Sequence, residues 1–480
     1  MLNMQKRLSA PFMVLMTLPS TAMGFALAVQ ISALSWLLRT QFDFEIEEIG
    51  LVWAAGPLAG IIGQVIIGMI SDKVWFWGGR RRPFILIGGV LSALSLLALP
   101  NIGVISTSLG LEGIVAVALV VALTLDLSIN VGFNPTRSVI ADLTPEGERR
   151  TQGYTWMQTV SGSFGVLAYF VGAAMGNIFL IYGGAVLVLL FTLVPPFFMQ
   201  EPRTLEGTEG EQAAAASSGS DISRLAVATL PLWAVIAYDA YALTLRLMGV
   251  ERHDFTAEIL TLAATAVLIG YVILRRPKAP SATGEDMGEF QKIMAAHAFS
   301  WIGVQTMFIY MFAFLEFRIP GVEDDRLGQI TSYSFLILNA VAALLPAFVL
   351  APLAKKMRRV RLHAACLAVM AVGYAGGYFL GFSPLAIYLV MALLGVGWAA
   401  IVSLPFAIMT QRVSKARTGL YMGIFNLSVV LPQLVASLGV GLAIDRVADK
   451  GLVFAIGAVS LAVSAALWLT VKPLVDDGQG

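Results

Sequence analysis

Asp126 sits in the stretch VAVALVVALTLDLSINVGFNPTRSVIADL, where the next charged residue is Arg137. A carboxylate at the centre of an apolar span costs about 2.5–3.5 kcal/mol even on an insertion scale. A carboxyl group in a low-dielectric setting is held more cheaply as the neutral acid, so it can take up a proton and release it when water or a cation arrives. That exchange is the elementary step of proton-coupled movement across a membrane. On a helix, Asp126, Asn130, Phe133 and Arg137 fall within about 40° of one face. The rise per residue separates Asp126 from Arg137 by about 16 Å, too far for direct pairing on a straight helix. The stripe reads as the lining of a path for a proton or a polar solute.

Other polar groups recur in apolar surroundings. In LVWAAGPLAGIIGQVIIGMISDK, Gln64 stands mid-span among Gly56, Gly60, Gly63 and Gly68, whose small faces allow close helix contact. Asp72 ends that segment and precedes the cluster Arg80, Arg81 and Arg82. A carboxylate and cations at a helix end can latch and unlatch during a conformational change. Farther along the chain, Trp301, Gln305 and Tyr310 share one segment, and Asn426 and Gln433 share another, GLYMGIFNLSVVLPQL. An aromatic face beside amides suits a sugar, whose CH groups stack while its hydroxyls need donors and acceptors. The histidines, His253, His297 and His363, are read as lying near span boundaries or loops and have no metal-site spacing. No GxxxxGK[ST] loop is present, which argues against an ATP-driven pump. The expected chain is therefore not an enzyme and carries no cofactor or metal.

The elements that must position these residues follow from composition. The chain has 480 residues, 58% hydrophobic and only 13% charged, where a soluble domain carries about 25% charged residues. One cysteine, Cys366, excludes a disulfide scaffold, and 31 basic against 30 acidic residues give no support to nucleic-acid binding. A polytopic all-α membrane protein remains. Runs of about 20 apolar residues give fourteen expected spans: 11–38, 48–71, 83–105, 115–141, 154–174, 177–198, 224–247, 256–274, 292–316, 328–353, 362–382, 384–410, 418–444 and 452–472. Basic residues cluster in alternate loops, at Lys6–Arg7, Arg80–Arg82, Arg149–Arg150, Lys355–Arg361 and Arg412–Arg417. The opposite loops of the two six-helix blocks hold only Arg39, Arg318, Arg326, Arg446 and Lys450. By the positive-inside rule both termini are expected in the cytoplasm. The polar stretches 204–222 and 277–291 read as linkers. Three parts result: a six-helix half over 1–203, linkers with an inserted two-helix hairpin over 204–291, and a second six-helix half over 292–480. The hairpin, with Asp239 as its exceptional polar group, is expected to be accessory and without transport chemistry.

With these residues in place, the chain resembles the major facilitator superfamily, and within it the sucrose-transporter-like group related to glycoside–cation symporters. GMISDKVWFWGGRRRPFILIGG is similar to the superfamily loop signature, and LDLSINVGFNPTRSVIADLTP to the group's pattern of LD, Asn, P-x-R and AD. GVGWAAIVSLPFAIM and TGLYMGIFNLSVVLPQL agree as well. The resemblance implies proton coupling at Asp126 with Arg137, and gating at Gly68, Asp72, Arg80, Arg81, Arg82 and Asp142. It also implies two six-helix halves with a central solute site. In the first span, where the group is Gln/Asn-rich, this chain offers Gln30 and Ser32 in GFALAVQISAL; near Tyr310–Met311 it lacks the acidic pair of plant relatives.

The expectation is a monomeric, inner-membrane, proton-coupled symporter of a glycoside or disaccharide (sucrose- or maltose-like), in contact with lipid and working by alternating access. Its solute ligands would be Gln30, Gln64, Asn130, Trp301, Gln305, Tyr310, Asn426 and Gln433. The competing readings are a transporter of a non-sugar metabolite and a non-transporting sensor or assembly factor on the same fold.

Overall fold

The computed structural model describes residues 2–61, 74–111, 113–145, 148–202, 224–250, 254–275, 286–354, 356–413 and 418–472. Gln64, Gly68 and Asp72 lie outside the described residues. The long apolar runs fold as helices, because a chain in lipid must satisfy its backbone groups internally. In chain order they are α1 (Ala10–Phe42), α2 (Ile46–Trp53), α3 (Arg82–Ala98), α4 (Ile114–Leu143), α5 (Glu148–Met175), α6 (Asn177–Phe197), α7 (Trp233–Leu247) and α8 (Thr256–Leu274). They continue as α9 (Met287–Arg318), α10 (Asp324–Leu345), α11 (Arg359–Leu380), α12 (Pro384–Thr410), α13 (Thr418–Val435) and α14 (Leu452–Leu469). Among the described residues the extended structure is an isolated bridge, Phe76 to Gly79.

Local chemistry sets several helix ends. Glu45 and Glu48 form a reciprocal capping box at α2. The Asp286 side chain accepts from the Glu289 amide at the start of α9, and Ser383 does the same for Ala386 at α12. Gly176, at φ +88°, separates α5 from α6. Beyond α13 the helix widens into a π turn, Ala436–Val440, before resuming as Gly441–Arg446.

Eleven helices among the described residues are long and apolar enough to cross a membrane, against fourteen expected spans. The differences have local causes. The first half of α5, ERRTQGYTWMQT, is polar. The fifteen-residue α7 follows a 3-10 turn at Leu230–Leu232 that breaks the longer run. The second span is described only in part.

The chain forms two compact units. The first comprises Met1–Thr208 with Gly321–Leu336, so the opening part of α10 belongs to it. Its core is built by α1 packed against α4, α5 and α6, and by α3 against α4 and α6. The second comprises Glu209–Pro320 with Ile337–Gly480, in which α14 packs on α9 and α11, and α9 on α13. The hairpin α7–α8 belongs to this second unit, against α9 and α13.

Candidate functional site

Each unit carries its own group of candidate residues. In the first, α4 is one continuous helix from Ile114 to Leu143, so Asp126, Asn130, Phe133 and Arg137 do share one element. Asp126 is 3% exposed. The Gln30 side-chain amide of α1 donates to its Oδ2 at 3.0 Å, and Asn130 Nδ2 donates to its backbone oxygen at 2.8 Å. Helix-side space for the carboxyl comes from Gly56: a Cβ built there would sit 3.5 Å from both carboxylate oxygens. Of the glycines in the second span, Gly56 thus has a definite task. Gln30, expected among the solute ligands, is engaged with the Asp126 carboxyl. It suits either protonation state, because its NH2 donates to a carboxylate and its oxygen accepts from a carboxylic acid after a flip.

Arg137 is exposed, and its guanidinium lies over the Phe133 ring at 4.6 Å. Such a cation–π contact holds the side chain along the stripe. The Tyr154 hydroxyl of α5 donates to the Arg137 backbone oxygen at 3.3 Å.

The loop before α3 folds as a tight turn. Phe76 and Gly79 exchange backbone hydrogen bonds of 3.1 and 3.2 Å across Trp77 and Gly78, both with positive φ, as a type I′ turn requires. This turn presents three successive amides, those of Arg80, Arg81 and Arg82, to the carboxylate of Glu201 at 2.7, 2.8 and 2.7 Å. A carboxylate at the start of a helix also meets the positive end of its dipole. Arg81 Nε pairs with Asp142 Oδ2 at 3.1 Å, largely out of solvent, while the Arg82 guanidinium covers the Phe197 ring at 4.8 Å. The arginine cluster is thus tied within its own unit by Asp142, which the sequence pattern indicated, and by Glu201, which it did not. The signal for Glu201 was a lone acid after the apolar α6, in the short run MQEPR, with no periodicity to mark it.

In the second unit, Trp301, Gln305 and Tyr310 lie on α9, and Asn426 and Gln433 on α13. Gln433 Nε2 donates to Gln305 Oε1 at 3.1 Å. Half-buried Asn426 precedes Gln433 by two turns on the same face. Trp301 Nε1 donates to His297 Nε2 at 2.9 Å, and the His297 ring stacks on Phe425 at 4.8 Å. Trp301 and Trp398 meet edge to face at 5.8 Å, with Phe308 edge-on to Trp398 at 5.3 Å. Trp398 Nε1 donates to Asn339 Oδ1 at 3.4 Å. Tyr310 is placed differently from a ligand: it is 1% exposed and its hydroxyl donates to the carbonyls of Ala436 and Ser437 at 3.1 and 3.3 Å.

His297, Trp398 and Asn339 were not among the expected site residues. His297 was read as lying near a span boundary, yet α9 begins at Met287 and buries it within the helix. Among the described residues no group of three or more His, Cys, Asp or Glu side chains is placed to hold a metal ion.

The sequence matches the family model of the Major Facilitator Superfamily over residues 17–437. It is 25% identical over 465 residues to the sucrose transport protein SUC4 of Arabidopsis thaliana, covering 89% of this chain and 83% of that one. A shorter match, 29% over 190 residues, links 36% of the chain to 34% of a general alpha-glucoside permease of Schizosaccharomyces pombe. Among solved structures, a D-xylose–proton symporter superposes with a TM-score of 0.63 at 15% identity, over 97% of this chain and 98% of that one.

Proposed function

Because the chain belongs to the Major Facilitator Superfamily, we propose that it is a secondary transporter that couples proton movement to the passage of a glycoside or disaccharide by alternating access. The observation that carries this reading is Asp126, a buried carboxyl in the middle of an apolar helix, whose side chain accepts a hydrogen bond from the Gln30 amide. Asp126 takes and releases the proton, and Gln30 follows its state by turning its amide. Arg137, held on Phe133 along the same helix, serves as electrostatic partner or solute ligand. The Arg81–Asp142 pair and the Glu201-bound turn form the gating end of the first unit.

In the second unit, Trp301 and Trp398 offer indole faces for the CH surface of a sugar ring, and the Gln305–Gln433 amides, with Asn426 beside them, supply paired donors and acceptors for its hydroxyls. Tyr310 acts from behind, by fixing the backbone beyond Gln433. Names of the relatives, a sucrose transport protein and an alpha-glucoside permease, favour a glycoside as solute. The basic residues clustered in alternate loops favour both ends in the cytoplasm; a monomer in a bacterial-type inner membrane is part of the same proposal.

The test is uptake into proteoliposomes under an imposed pH gradient, with labelled sucrose and maltose and a proton-sensitive dye inside. Solute accumulation that collapses with a protonophore is the expected result. Accumulation indifferent to the protonophore removes the proton; proton flux with neither sugar removes the disaccharide.

A further inference from the structure

The hairpin docks on the second unit by a narrow stripe. On α7, Val235, Tyr238, Asp239 and Ala242 are buried, while Trp233, Ile236 and Tyr241 are exposed; the spacing is that of one helical face. What this stripe meets is the irregular part of the neighbouring helix. Gly439, inside the π turn, leaves room for the Tyr238 hydroxyl, and a methyl group there would collide with it. The same hydroxyl donates to Glu258 Oε1 of α8 at 2.7 Å. From its other neighbour, α9, the π turn receives the Tyr310 hydroxyl on two of its carbonyls. π turns recur where function needs a local change of register, and this one begins three residues after Gln433. A cavity of about 110 Å³ remains between the hairpin and the core, bordered by Val235, Tyr238, Glu258, Thr265, Pro432 and Val435.

Asp239 lies within the docked stripe at 4% exposure, and among the described residues neither of its carboxyl oxygens has a hydrogen-bond partner. Among the described residues, the titratable and charged side chains on the elements packed here are Tyr238 and Arg246 on α7, Glu258 on α8, bonded to Tyr238, Tyr310 on α9, near Arg246, Tyr238 and Asp445, and Arg446, which lies over Phe255. None of them bonds to Asp239. An ionised carboxylate buried without a partner is strongly destabilising, whereas the neutral acid removes the charge.

We propose that Asp239 is a second proton-binding site of this chain, distinct from Asp126, and that its proton holds the hairpin on the π turn. Loss of that proton leaves a bare charge in the stripe, which is relieved when the hairpin lifts and admits water. The hairpin is then a pH-responsive brace for the backbone beyond Gln433, not an inert insertion. Only the consequence at Gln433 rests on the solute-site reading; docking itself does not.

The test is a distance measurement by double electron–electron resonance on the full chain in nanodiscs. Spin labels go on Met248→Cys at the hairpin tip and Val447→Cys after the short helix Gly441–Arg446, both exposed positions, in a Cys366→Ala background. A narrow distance peak at acidic pH that is lost to a broad distribution at alkaline pH is expected, with the narrow peak kept at both pH values in Asp239→Asn. Asp239→Leu is the second neutral variant should the first not fold. A distribution in the parent chain that ignores pH, or one whose pH response survives in the neutral variants, overturns the proposal. No solute or transport enters this measurement, so a failed sugar assay and a failed docking result remain separate outcomes.

Discussion

The two units place different chemistry in their interiors. The first buries the Asp126 carboxyl in the middle of a lipid-embedded helix, where charge is ordinarily excluded, and meets it with Gln30, while at its helix ends Asp142 pairs with Arg81 and three backbone amides hold Glu201. The second places neutral amides and aromatics in its candidate site, with Gln305 bonded to Gln433 and Trp301 to His297. Charge changes state when a proton moves; amides and indoles do not. Under the proposed function, proton coupling at Asp126 falls to the first unit and solute recognition to the second, and variants on each side should fail in different ways.

The largest effect falls on Asp126. Asp126→Asn keeps the shape and the Gln30 contact but cannot exchange a proton, so uptake driven by a pH gradient should drop to the level of empty liposomes while counterflow of preloaded solute continues. Unchanged accumulation would break the division. Next comes Gly56, whose absent side chain leaves room for the Asp126 carboxyl. Gly56→Leu should also abolish gradient-driven uptake, while Gly56→Ala, whose Cβ fits at van der Waals distance, should retain it. In the second unit, Gln433→Ala removes one amide from the Gln305 pair and should raise KM about tenfold, about 1.4 kcal/mol, with the maximal rate little changed. A loss confined to the rate would move Gln433 from recognition into the transport step. The smallest effect belongs to Glu201→Ala, which strips a cap from three amides. A loss of about 1–2 kcal/mol in stability, read as a lower Tm with KM unaltered, would mark Glu201 as structural support for the turn before α3.

Much of this was legible before any coordinates. Asp126 announces itself because charge is rare in apolar runs, and helix periodicity places Asn130, Phe133 and Arg137 with it on what is one continuous helix. Asp142 was recoverable from the family pattern, since the AD pair ends that helix. Contacts between distant segments were not. Nothing in a one-dimensional reading couples Gln30 to Asp126, ninety-six positions away, or Glu201 to a turn more than a hundred residues earlier. Tyr310 shows the reverse difficulty: an aromatic with a hydroxyl in an amide-bearing helix looks like a ligand, and only its burial against the Ala436 and Ser437 carbonyls shows where the hydroxyl goes. The π turn that supplies those carbonyls has no sequence signature beyond small residues. The expected spans at α5 and α7 are helices, but α5 is too polar in its first half and α7 too short for either to count among the eleven long apolar ones.

The first half also closes on itself. The Gln5 side chain donates to the Gln200 carbonyl at 2.8 Å and accepts from the Gln200 amide at 3.1 Å, and Glu201 follows directly onto the turn before α3. Segments whose two ends meet tolerate being cut free or rejoined elsewhere. A gene split after Pro202 therefore leaves the clasp intact on the first polypeptide. The two fragments, made as separate chains, can be asked to reconstitute transport in one membrane, with Asp126 on one and the Gln305–Gln433 amides and the indoles on the other, which also carries the Gly321–Leu336 segment of the first unit.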